Sequence, residues 1–176
     1  MTTAPHSPPR AVPRAGGLRR SRRVLLALGA VVALVAGAGG ASAGTDHHGR
    51  HRAISTPDAP AAIGPYSQGV SAGHLVFVSG QLPIDPATGE IPTDATIEEQ
   101  TRRAARSVQA VLKADRLALK HVVSTTVYLA ALDDFDRFNT AYAEFFGSSV
   151  PPARATVEGA RLPRDAKVEI SAIAVR

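Results

Sequence analysis

A chain of 176 residues with 20 basic and 15 acidic side chains reads as basic, yet six arginines, Arg10, Arg14, Arg19, Arg20, Arg22 and Arg23, precede residue 44 with no acid among them. Residues 44–176, 133 in number, then hold 14 basic against 15 acidic residues, so this part offers no net positive surface and nucleic acid drops out as a default partner. That length suits one core, and with no cysteine the chain has no disulfide framework, thiolate metal site or cysteine nucleophile.

Residues 1–18, rich in proline, alanine and arginine and without periodicity, read as disordered. Arg19-Arg20-Ser21-Arg22-Arg23 then meets the apolar run Val24 to Ala38, and Ala41-Ser42-Ala43 closes the segment. A positive flank, a short apolar stretch and a small-x-small end predict an export signal, cleaved after Ala43. Within it, Ser21-Arg22-Arg23-Val24-Leu25-Leu26 is similar to a twin-arginine signal. The competing reading is a membrane anchor, since the 20 residues from Val24 to Ala43 are uncharged, although Gly29, Gly37, Gly39 and Gly40 dilute their hydrophobicity. Either way the domain ends up outside the cytoplasm. Residues 44–56 read as a flexible spacer, in which Asp46-His47-His48-Gly49-Arg50-His51 offers imidazoles without a second cluster to complete a metal site. No metal is expected.

Tyr66 to Val70 and His74 to Ser79 are β-prone runs whose link, Ser71-Ala72-Gly73, suits a hairpin. Leu82 to Thr93 reads as loop, broken by Pro83, Asp85-Pro86, Gly89 and Pro92. Thr96 with Glu99 forms a capping-box pattern, after which Ile97, Thr101, Ala104, Ala105, Val108, Val111 and Leu112 recur at helical spacing. This helix ends at Asp115-Arg116 without a glycine cap. His121 to Leu129 is rich in β-branched residues and reads as a strand. Asp133-Asp134 offers an N-cap to a second helix, whose Phe135, Phe138, Tyr142, Phe145 and Phe146 form a stripe read as core and ended by Gly147.

Two last strands, about Ala155 to Arg161 and Ala166 to Val175, complete the order β-β-α-β-α-β-β, an α+β mixed sheet with both helices on one face. Val76, Val78, Val122 and Thr126 are the candidates for covering the opposite face. Arg154, just after a proline pair, presents a planar fork of donors suited to a carboxylate. Glu169 alternates away from the face shared by Val168, Ile170, Ala172 and Ala174. Together they suggest a carboxylate clamp beside an acid/base. The plainer reading is a surface arginine, with Glu169 paired to Lys167 or Arg161 and Glu158 bracing Arg161.

From about Pro57 to Arg176 the chain resembles the Rid (RidA/YjgF) family of small imine and enamine deaminases. The likeness rests on Ala59-Pro60-Ala61-Ala62-Ile63-Gly64-Pro65-Tyr66-Ser67-Gln68-Gly69, Val78-Ser79-Gly80-Gln81-Leu82-Pro83, Phe138-Asn139-Thr140-Ala141-Tyr142 and Pro152 to Ile170, in one order. It implies a chorismate-mutase-like α+β domain over residues 57–176, a homotrimer with sites in the clefts between subunits, and no cofactor. It implies hydrolysis of 2-imino acids to 2-keto acids and ammonia. The residues carried over are Arg154, gripping the substrate carboxylate, and Glu169, orienting or deprotonating the attacking water. Tyr66 and Asn139 line the pocket, the Ser79-Gly80 backbone approaches the ligand, and the Thr156 N–H meets the carboxylate. Thr156 stands where the family commonly has cysteine, which keeps the N–H and removes thiol chemistry. The alternative is a non-catalytic metabolite-binding or chaperone-like protein of the same fold.

Overall fold

The computed structural model describes residues 51–147 and 150–176. The export segment and histidine-rich residues 46–50 lie outside the described residues. In chain order come β1 (Arg52–Ile54), β2 (Gly69–Ala72), β3 (Leu75–Gln81), α1 (Ile97–Ala114), β4 (Val122–Leu129), α2 (Phe135–Phe146), β5 (Ala153–Glu158) and β6 (Val168–Val175). The strands form one sheet in the order β1-β2-β3-β6-β4-β5. All neighbours are antiparallel except β4 and β5. A parallel pair needs a crossover, and α2 supplies it. The mixed α+β sheet with two helices is as expected.

The first strand is a correction. Arg52–Ile54 lies inside the stretch read as spacer, yet it pairs with Gly69 to Ser71, and Ile54 is buried in the main core. Three residues are too few for periodicity to register. The hairpin is also displaced: β2 begins at Gly69 rather than Tyr66, and Ala72 pairs with Leu75, leaving Gly73-His74 as a two-residue turn. Gly73 takes a φ of 59°, which glycine adopts without a Cβ penalty.

The capping box at α1 forms as read: Thr96 Oγ1 accepts the Glu99 N–H at 3.3 Å and the Glu99 carboxylate accepts the Thr96 N–H at 2.8 Å. The start of α2 differs. A 3₁₀ turn, Leu132–Asp134, runs straight into it and gives Asp134 a ψ of 0°, so no extended N-cap geometry exists and its side chain caps no N–H. The two helices are tied by Arg102, which forks onto Glu144 at 2.7–3.2 Å, and by Arg137, which forks onto Glu98 at 2.8 and 2.9 Å. The Arg137 guanidinium holds the Glu98 carboxyl down at about 2.

Val76, Val78, Val122, Val127, Leu129, Val168, Ile170, Ala172 and Ala174 pack with Ala104, Ala105, Val108, Val111 and Leu112 of α1 and Phe138 of α2 in the main core. Fully burying each Val, Leu or Ile here contributes about 1.5–3 kcal/mol relative to leaving it in water. Val76, Val78 and Val122 therefore face the helices and do not cover the other face, because the true pleat phase of β3 and β4 points them inward. Thr126 does face the open side, which carries Leu75, Phe77, Tyr128 and Val157 as exposed apolar residues.

Candidate functional site

Arg154 sits on β5 directly across from Thr125 of β4, whose side chain is buried on the helix side. Cross-strand partners project to the same face, so the arginine rises toward α2. Its guanidinium carbon stands 4.7 Å from the ring centre of Tyr142, 5.3 Å from Phe138 and 5.6 Å from Phe135. Tyr142 is fixed in turn by a 2.7 Å hydrogen bond between its hydroxyl and Thr125 Oγ1, and burial pushes its phenol pKa up. Among the described residues the Arg154 side chain makes no hydrogen bond and joins no ion pair. Asn139 is half-buried on α2, four residues after Phe135 and three before Tyr142, so helical spacing sets it beside the rings that carry the guanidinium. Thr156, two residues beyond Arg154 on the same face, has a buried Oγ1 without a hydrogen-bond partner.

Glu169 sits on β6 between fully buried Val168 and Ile170, opposite Tyr128 of β4, and so projects to the open face. It is half-buried, and the lost hydration raises its carboxyl pKa. Its carboxylate lies against Gly80: a Cβ built on that glycine would fall 1.8 Å from Oε1. The β3–β6 register shifts between Val78 and Gln81, so Ser79-Gly80 forms the irregularity that lets the carboxylate in. Ser79 is turned to structure, its hydroxyl donating to the Ser67 carbonyl at 2.7 Å and its N–H to the Gln68 carbonyl at 3.1 Å. These bonds hold the loop that carries Tyr66, whose hydroxyl accepts the Ile63 N–H at 3.2 Å and whose ring is largely exposed beside a cleft of about 620 Å³.

The two charged residues are not neighbours within one chain. β4 lies between β5 and β6, and Arg154 projects to the helix side while Glu169 projects to the open side. The clamp beside an acid/base, read from two segments a short turn apart, is thus divided into two half-sites: Arg154 with Asn139 and Thr156, and Glu169 with Gly80, Ser79 and the Tyr66 loop. The plain ion-pair alternatives also fail. Arg161 bonds Asp165 at 3.0 Å, the Lys167 ammonium donates to the Ala95 carbonyl at 2.9 Å, and Glu158 accepts the Leu132 N–H at 2.9 Å.

Two contributors were missed in the sequence. Tyr142 carries Arg154, although the aromatic stripe was read as core alone. Gln68, buried, links Thr56, Ala59 and Pro60 through its amide and braces the Tyr66 loop; a polar residue among glycines and prolines gives no sign of burial. Among the described residues no three metal-ligating side chains converge.

Residues 56–176 match the profile of the family described as Endoribonuclease L-PSP. The 2-iminobutanoate/2-iminopropanoate deaminase of Escherichia coli K12 is 46% identical over 127 residues, covering 71% of this chain and 98% of its own. The chain belongs to the Rid (RidA/YjgF) family. A RutC family protein of Pyrococcus horikoshii is 48% identical over 123 residues, covering 70% of this chain and 96% of its own. Among solved Rid-family structures, E. coli TdcF with bound serine is 45% identical, with a TM-score of 0.68 over 71% of this chain and 98% of its own. The E. coli YjgF gene product is 46% identical, with a TM-score of 0.67 over the same shares.

Proposed function

We propose that this Rid-family chain hydrolyses 2-imino acids to 2-keto acids and ammonia without a cofactor, at a site assembled from two chains of a homotrimer. The observation that carries the reading is Arg154, a guanidinium held on aromatic rings with its donors free, in a chain 46% identical to a named 2-imino acid deaminase. Arg154 takes the substrate carboxylate as a bidentate pair. Glu169, on the open face of a neighbouring chain, accepts a proton from water as the water oxygen bonds the C=N carbon. It returns that proton to the carbinolamine nitrogen; the freed Glu169 carboxylate then takes the hydroxyl proton as the C=O bond forms, the C–N bond breaks and ammonia leaves. Asn139, Tyr66, Gly80 and the Thr156 backbone line the space between the two half-sites.

The deciding measurement is a coupled assay in which an amino-acid oxidase generates the imine and loss of imine is followed. Arg154→Ala is expected to lower kcat/KM by about a hundredfold, the scale of a charge-assisted bidentate contact. Wild-type protein no faster than Arg154→Ala overturns the reading. Arg154-dependent thermal stabilisation by 2-ketobutyrate without turnover identifies a metabolite-binding protein instead. An RNA-cleaving role is disfavoured by the near balance of 14 basic and 15 acidic residues after position 43.

We also propose export through the twin-arginine-like leader, on the strength of its three-part pattern. The mass of the secreted protein tests this: a chain starting at Gly44 is expected, and an intact leader on membrane-bound protein indicates an anchor.

A further inference from the structure

We propose that Tyr142 is the positioning residue for Arg154, holding the guanidinium by its face so that every in-plane N–H stays open to an incoming carboxylate. A surface arginine is ordinarily steadied by a carboxylate, as the helix residues Arg102 and Arg137 are here. Such an anion fills the N–H donors and competes with an anionic ligand. An aromatic ring attracts the cation through its π face, perpendicular to the plane of the donors, and so fixes position without occupying them.

Three observations single out Tyr142 among the rings. It is nearest, at 4.7 Å from the guanidinium carbon against 5.3 Å for Phe138 and 5.6 Å for Phe135. Phe146 stacks on it at 4.4 Å with the planes 22° apart, which keeps the ring from tipping. Its hydroxyl is bonded to Thr125, the residue directly across the ladder from Arg154, so ring and guanidinium are referred to the same point of the sheet. Burial keeps the phenol protonated and uncharged, so the ring contributes no rival anion.

The inference rests on the reading above only for its kinetic arm. In the direct arm, 2-ketobutyrate is titrated into the wild-type protein, Tyr142→Phe and Tyr142→Leu by calorimetry. Tyr142→Phe keeps the ring and is expected to bind within about threefold of wild type. Tyr142→Leu is expected to weaken binding about tenfold, equivalent to about 1.4 kcal/mol. In the kinetic arm Tyr142→Leu raises KM by a similar factor while kcat stays within about threefold. A folded Tyr142→Leu with unchanged affinity, or with reduced kcat and unchanged affinity, overturns the proposal. Should that variant fail to fold, Tyr142→Met, which replaces the ring by an adaptable unbranched side chain, is expected to weaken binding about tenfold, and unchanged binding overturns the proposal. Tyr142-dependent binding without turnover rejects the deaminase reading and leaves this inference standing. Arg154-dependent turnover indifferent to Tyr142 does the reverse, and no Arg154-dependent carboxylate binding at all rejects both.

Discussion

At Gly80 the missing side chain leaves room for the Glu169 carboxylate, to which the proposed mechanism gives the proton transfers. The atom that an added Cβ would strike, Glu169 Oε1 at 1.8 Å, is the free end of a flexible side chain, so the carboxylate moves before the backbone does. Gly80→Ala is therefore expected to lower kcat about tenfold or more, since displacements near 1 Å at reacting groups have costs of that order. Its Tm is expected to stay within about 3 °C of wild type. Parallel kinetics and thermal melts check this, and a Tm collapse matching the activity loss rejects it. In the proposed mechanism Glu169 sets the acidic limb of the pH profile. Because burial raises its pKa, the ionised form is lost at a higher pH than for an ordinary glutamate, and deaminase activity should fall in that range as pH drops. The sign for stability is opposite. The native state binds the proton more tightly than the unfolded chain, so stability falls as pH rises through the interval between the unfolded and the raised native pKa. Glu169→Gln is therefore expected to be more stable than wild type above that interval and equal to it below, a difference that vanishes on acidification in urea titrations across pH.

Helix α1 ends on a residue that the backbone there does not favour. The Leu117 N–H reaches the Leu112 carbonyl at 2.9 Å and the Arg116 N–H the Lys113 carbonyl at 3.0 Å, a Schellman ending. Arg116 must then take a φ of 61°, where side chains other than glycine carry a penalty of about 1 kcal/mol. Arg116→Gly removes that strain while adding freedom to the unfolded chain, for a net gain of about 0.5 kcal/mol and a Tm rise of about 2 °C, measurable by calorimetry. An unchanged or lower Tm would mean that the arginine side chain offsets its own strain. The missing glycine was visible in the sequence; the geometry it forced was not. Elements with many periodic residues were legible in the same way: α1 from its capping box and apolar spacing, β4 and β6 from alternation. What escaped were features set by partners distant in the chain. β1 exists because Ile54 and the β2 backbone meet it, and the phase of β3 depended on which of two alternating sets met α1. Arg154 and Glu169 were recognisable as candidates from their motifs. Their placement on opposite faces was not, because strand order, with β4 inserted between them, is a property of the assembled sheet.

The sheet covers only one of its faces with helices. The other presents Leu75 and Phe77 at 40% and 41% exposure with Tyr128 and Val157 at 39% and 44%, the same side to which Glu169 projects. An apolar face of this kind is expected to be covered by another chain in the homotrimer proposed above. With Arg154 on the helix side, a site using both residues must draw them from different chains. That requirement separates two inactive proteins from one active mixture. Arg154→Ala, down about a hundredfold, and Glu169→Gln are each expected to be close to inactive alone. When equal amounts are unfolded and refolded together, a ring of three subunits with one site per interface places an intact Arg154 beside a neighbour's intact Glu169 at about one interface in four. The mixture should then recover about a quarter of wild-type turnover, whereas simple mixing without subunit exchange should recover none. Co-refolded protein that elutes as a trimer yet stays inactive would place both groups in the same chain's site, which the opposed directions of Arg154 and Glu169 do not allow without a rearranged sheet.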